Sequence, residues 1–318
     1  MLAAIDRLDL ALGGRTVLTE AATGAYAVTP VLAALAGARV LALGNGTRHA
    51  TADEIHAATM GLARFAGVAD RIELVHETSP DLLGSVDIVT NSGQVRPIDE
   101  AMVAGLRTGC VVPLMYESWE YRPADLDLEA CRTKGVVVAG TNERHPAVDV
   151  FSFLGPLAVH QLHDAGVAVH GCRIVVLCDN DFAPFITSGL ESCGAHVSLA
   201  SRLSREALDP PPDAVVVALK PSDRPALTAA DVQLLGEHAA GTTVAQYWGD
   251  VDREALARAQ VPVWPAREPP AGHMAVLLSD IGPDAIVRLQ AGGLKVGEVL
   301  TRGLEAATSS ERSLVQPM

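Results

Sequence analysis

The run Pro270-Ala271-Gly272-His273-Met274 sets an imidazole on a loop just ahead of a long helical stretch. A histidine there titrates near neutral pH and suits proton exchange with a hydroxyl or carbonyl, although a structural imidazole held by backbone fits the same spacing. Glu117 and Asp250 each follow a β-rich run and are the carboxylates expected to orient it. Further polar residues collect where β-rich runs end: 20–26, Asn45-Gly46-Thr47, Asn91-Ser92-Gly93 with Arg96, 117–120, and Thr141-Asn142-Glu143-Arg144-His145. Arg96 suits a carboxylate or phosphate, Asn91 and Asn142 suit the orientation of polar groups, and Glu117 or Glu143 suits an amine or the role of a base. Asn, Ser and Gly also serve turns for geometric reasons alone, so these residues count as a set.

The elements that must position them alternate. β-rich runs at 15–20, 38–43, 71–75, 87–90, 110–115 and 136–139 are separated by helical patterns, several of which stop at glycine. A long helical pattern, 146–163, precedes a second series with strands at 172–177, 196–200, 214–219, 242–246 and 261–264. Alternation at this spacing predicts α/β architecture: two doubly wound, parallel-sheet domains of Rossmann or flavodoxin type with a ligand cleft between them. The expected domains are 1–145 and 146–282, with a return helix over 283–304 and a disordered tail over 305–318. Helix, glycine, strand, aromatic, helix and strand recur in one order in both halves, Trp119 answering Trp248.

Hydrophobic residues make up 49% of the 318 and charged residues 19%, enough for two cores. The chain lacks an apolar run of the roughly 18 residues a membrane span needs, and its N-terminus lacks the order of a secretory signal, so a cytoplasmic protein is expected. A net charge of −14 repels phosphate backbones, which argues against nucleic acid. Five scattered cysteines suggest reduced thiols and no metal site.

The segments DLDLEACRTKGVVVAGTNERHPAVDVFSFLGPLAVHQL and GTTVAQYWGDVDREAL resemble stretches of the D-isomer-specific 2-hydroxyacid dehydrogenases, in sequence and in order. The resemblance implies a substrate domain preceding a nucleotide-binding domain, NADP or NAD as cofactor, and His273 at the position of that family's catalytic histidine. In the family, the first strand of the second domain runs into G-x-G-x-x-G, whose glycines admit the pyrophosphate to a helix N-terminus. Here that turn reads Cys178-Asp179-Asn180-Asp181-Phe182-Ala183-Pro184, with no glycine and two carboxylates, and VAQYWGDVD holds no arginine where the family has one. Asn180, Phe182 and Ala183 are the candidate cofactor residues at the turn. Ser201 and Arg202, after the next strand, suit a 2′-phosphate and favour NADP, and Lys220 stands comparably after the third. The turn Gly44-Asn45-Gly46-Thr47 also admits a nucleotide or S-adenosylmethionine reading, but it is displaced from the first strand, where such loops usually sit.

The expected function is a divergent NAD(P)-dependent oxidoreductase, a homodimer, acting on a small polar metabolite. The rival is a protein of the same fold without hydride chemistry: a ligand-binding module, a lyase or isomerase, or a partner subunit.

Overall fold

Strands form where β-branched and aliphatic residues run between turn signals, and in chain order they are β1 (Thr16–Glu20), β2 (Arg39–Leu43), β3 (Ile72–Val75), β4 (Ile88–Val89), β5 (Val111–Pro113), β6 (Val137–Thr141), β7 (Arg173–Leu177), β8 (His196–Ala200), β9 (Ala214–Ala218), β10 (Thr243–Trp248), β11 (Val263–Trp264) and β12 (Val315–Pro317). They are seen in a computed structural model that describes residues 1–47 and 50–318. The chain divides into two units, Met1–Val150 with Pro283–Met318, and Phe151–Gly282.

The first unit holds a seven-stranded sheet in the order β12-β6-β5-β4-β1-β2-β3, parallel throughout except for β12. The second holds a five-stranded sheet in the order β11-β10-β9-β7-β8, wholly parallel. β9, AVVVA, is buried at every position, the continuous apolar run expected of a strand covered on both faces. In each sheet the strand order reverses once, between β1 and β4 and between β7 and β9. Ligands of open parallel sheets collect at such points, beyond the carboxyl ends of the strands.

Two expectations are corrected. The tail is ordered: Thr308 caps the helix Ser309–Leu314 in a capping box with Glu311, and β12 then pairs antiparallel with β6 through Val315↔Thr141. An edge strand with unpaired N–H and C=O groups captured this segment, and polar composition alone does not disclose such pairing. The helical pattern over 146–163 begins only with a 3-10 turn at Phe151–Phe153 and the helix Leu154–Asp164. Residues 142–150 instead close a turn, with Val148 N–H on His145 O, Val150 N–H on Glu143 O and Asp149 left-handed at φ 51.

The helix Asp284–Arg302 packs within the first unit, against β4, β5 and β6. Glycines permit the close approach: a Cβ on Gly293 would meet Met115 Sδ at 2.5 Å, and one on Gly297 would meet Ile88 Cγ2 at 2.9 Å. Its buried Lys295 is held by Glu298 and Glu311, both at 3.0 Å, and by Asp9 O at 2.8 Å. Among the described residues, no helix is long and apolar enough to cross a membrane.

Candidate functional site

In the first unit the reversal point is lined by the end of β1 and the loop after β4. Glu20, the last residue of β1, is buried, and its carboxylate lies against Gly93. Burial raises the Glu20 pKa, opposed by the Arg96 guanidinium and a hydrogen bond from the Gln94 backbone. Asn91 and Ser92 are buried beside it. The Ser92 hydroxyl is 2.8 Å from that of Thr90, which bonds Thr19 at 2.8 Å. Asn91 Nδ2 donates to the Tyr116 hydroxyl at 2.6 Å, whereas Asn91 Oδ1 is buried without a hydrogen-bond partner. Arg96 pairs with Asp125 at 2.9 Å.

The loops after β5 and β6 bring three more carboxylates to this edge. Glu117 is 2% exposed; its Oε2 accepts the Trp119 indole N–H at 2.5 Å, while Oε1 has no hydrogen bond and faces Arg144 Nε at 3.7 Å. Burial, then repulsion from Glu117, pushes the Glu120 pKa up to about 7. Glu143 is raised well above the ordinary carboxylate range by burial, then by Glu120 and Glu117. Tyr26 belongs to the same group, its phenol raised by burial and by Glu20 and Glu143. Like charges brought together away from water cannot all ionise, so this edge of the sheet retains protons near neutral pH. Carboxylates holding exchangeable protons there are equipped for acid–base work.

Sequence reasoning named Asn91, Ser92, Gly93, Arg96, Glu117 and Glu143, and the fold brings these together. It left Glu20, Tyr26, Tyr116 and Glu120 out of the candidate set; all but Tyr116 stood in the same strand-end loops and were available to that argument. Asn142 is engaged elsewhere, since its Nδ2 donates to Ser313 O at 2.9 Å and its N–H to Leu314 O at 2.8 Å, fastening the C-terminal segment.

In the second unit, the turn after β7 is closed by its own bonds. Asn180 Oδ1 accepts the Phe182 N–H at 3.0 Å, and Asn180 Nδ2 crosses the reversal point to Ala218 O at 2.8 Å. Lys220 N–H makes a second bridge, to Asp179 Oδ1 at 3.3 Å. Phe182 is buried and stacked on Trp248 with centroids 5.1 Å apart, and Phe151 meets it edge-on at 5.4 Å. Ser201 and Arg202 are exposed beyond β8. Asp250 accepts the Gly272 N–H at 3.1 Å, so the loop carrying the exposed His273 is pinned to the end of β10; His273 Nδ1 lies 3.1 Å from Ala271 O.

Solved structures align with nearly the whole chain. One of them, from the dipicolinate synthase of Bacillus halodurans, aligns with a TM-score of 0.58 at 13% identity, covering 94% of this chain and 100% of its own. TP0037 from Treponema pallidum, a D-lactate dehydrogenase, gives 0.55 at 9% identity, over 91% and 97%. The NAD-dependent formate dehydrogenase from Staphylococcus aureus, solved in complex with NAD, gives 0.51 at 11%, over 90% and 95%. The chain has their fold. The resemblance to D-isomer-specific 2-hydroxyacid dehydrogenases is thus borne out at the level of architecture. No family model matches the sequence, and no curated protein matches it.

The fold raises the question of a dinucleotide, and the turn after β7 does not fit one. A pyrophosphate needs outward-facing N–H groups at the helix N-terminus. Here the Phe182 N–H goes to Asn180 Oδ1, the Ala183 N–H to Asn180 O, Pro184 has none, and the Phe185 N–H returns to Phe182 O. The carboxylates of Asp179 and Asp181 stand in the same turn, and charge of that sign opposes a phosphate.

Proposed function

We propose that this protein uses the dehydrogenase fold to hold a small polar metabolite at the C-terminal edge of its seven-stranded sheet, without the pyrophosphate cradle of a dinucleotide-binding relative. The observation that carries this reading is the convergence of Glu20, Glu117, Glu120 and Glu143 with Asn91 and Arg96 at and around one reversal point. Carboxyl groups gathered away from water must be protonated or paired to be tolerated, and both occur here: burial raises Glu120 and Glu143, while Arg96 and Arg144 face Glu20 and Glu117. Glu120 and Glu143, both raised above the ordinary carboxylate range, are the groups that would exchange protons with a bound molecule.

The oxidoreductase reading is favoured by one specific observation, the fold shared with a D-lactate dehydrogenase and with a formate dehydrogenase that holds NAD. On that reading the protein is a cytoplasmic homodimer, Ser201 and Arg202 select NADP, and His273 handles the proton. Two reporters separate the readings. A metabolite panel followed through the Trp119 indole resonance, with emission from Trp248 followed during titration with NAD, NADH, NADP and NADPH, is expected to show a response at Trp119 and none at Trp248. A saturable nucleotide response at Trp248 with silence at Trp119 would reverse the conclusion.

A further inference from the structure

Among the described residues, carboxylates at this edge outnumber guanidinium groups. Glu20 comes from the end of β1; Glu117, Glu120 and Asp125 from the segment after β5; Glu143 from the loop after β6. Facing them are Arg96, which pairs with Asp125 at 2.9 Å, Arg144, which stands 3.7 Å from Glu117, and Arg122, which acts on Glu120. Among the described residues, five carboxylates therefore meet three guanidinium groups, with the phenols of Tyr26 and Tyr116 in the same field. Two atoms of this set, Glu117 Oε1 and Asn91 Oδ1, are buried without a hydrogen bond, on residues 2% and 1% exposed. The large majority of buried side-chain acceptors in native proteins are hydrogen-bonded, so these two atoms, one of them with only the distant Arg144 before it, point to a partner that brings N–H donors. Two large aromatic side chains stay exposed beside them: Trp119, bonded to Glu117 and 51% exposed, and Tyr26, 43% exposed. Ammonium groups are attracted to the faces of such rings. Among the described residues, no three His, Cys, Asp or Glu converge as ligands of a metal ion, so the donor set suits a molecular cation.

We propose that this edge of the sheet binds a small organic ammonium, whose N–H groups bond Glu117 Oε1 and the Asn91 amide and whose carbon chain lies against Trp119 and Tyr26. This inference rests on the reading of the site under Proposed function and names its ligand class. On binding, the ammonium charge takes the place of a proton held among the glutamates. That proton leaves to the buffer, so the net charge of the site is unchanged.

The test compares three probes of matched length, n-butylammonium, n-butyrate and n-butanol, through the Trp119 indole resonance in 1H–15N spectra of the full chain. n-Butylammonium is expected to shift that resonance saturably and to bind at least about tenfold more tightly than the other two, the scale of a charge-assisted hydrogen bond. Glu117→Gln is expected to remove most of that preference. Butyrate or butanol binding as tightly as the ammonium would overturn the ammonium assignment and leave the site itself standing. No response to any of the three probes would also overturn the assignment; the site reading then stands or falls on the metabolite panel.

Discussion

Glu20 fills the space that a side chain on residue 93 would need: a Cβ built on Gly93 lies 1.5 Å from Glu20 Oε2, and the backbone there has φ +35. The glycine therefore sets the position of a carboxylate on another strand. Gly93→Ala is expected to displace Glu20, to cost about 1–3 kcal/mol through strain and lost packing, and to weaken n-butylammonium binding. Urea unfolding and the Trp119 titration check the two effects separately.

Protons held at Glu120 and Glu143 make stability depend on pH. Both values are raised in the folded chain, so their contribution is fully present below the unfolded value of 4.5; that of Glu120, raised to about 7, is lost as pH rises through about 7. Buried His145, whose pKa is lowered by burial, acts in the opposite sense at the acid end. Glu120→Gln is expected to flatten the fall in Tm between pH 5 and pH 8, and the difference between the two profiles cancels the histidine. Identical profiles would show that Glu120 carries no such proton.

Phe182 stands where a nucleotide-binding relative carries its helix-opening turn, and it is packed between Trp248 and Phe151. Phe182→Ala is expected to cost about 3–5 kcal/mol, the usual loss for a buried aromatic, and to shift the Trp248 emission. Arg202→Asp, remote from any nucleotide on the leading reading, is expected to change neither stability nor the response to NADP. A reversal of NAD and NADP preference in that variant would restore Arg202 to a cofactor site.

Asp250 holds the loop of His273 through the Gly272 N–H. Asp250→Ala is expected to speed hydrogen exchange at Gly272 by about tenfold, because a bond of about 1–1.5 kcal/mol is removed. His273→Asn, at an exposed position, should leave unfolding within about 0.5 kcal/mol of the parent. On the oxidoreductase reading it also removes turnover by about 100-fold, the scale of a general acid–base group.

The sequence by itself determined the α/β architecture. Short β-rich runs such as RTVLTE and AVVVA, the latter continuously apolar, separated by amphipathic stretches that end at glycine, admit few other folds, because a parallel sheet needs crossover helices at that spacing. It also placed Asn91, Arg96, Glu117 and Glu143 at strand ends, since loops follow strands in order, and it showed that the turn at 178–184 lacks glycine. Only the tertiary structure decided which strand ends meet. Glu20 and Gly93 lie far apart in the chain and become neighbours because β4 pairs with β1, a choice of strand order that local pattern does not encode. The same holds for the C-terminal segment. Its residues look polar and unstructured until β6 offers an unpaired edge and buried Lys295 offers Glu311 a partner, and both are properties of the assembled sheet and helix.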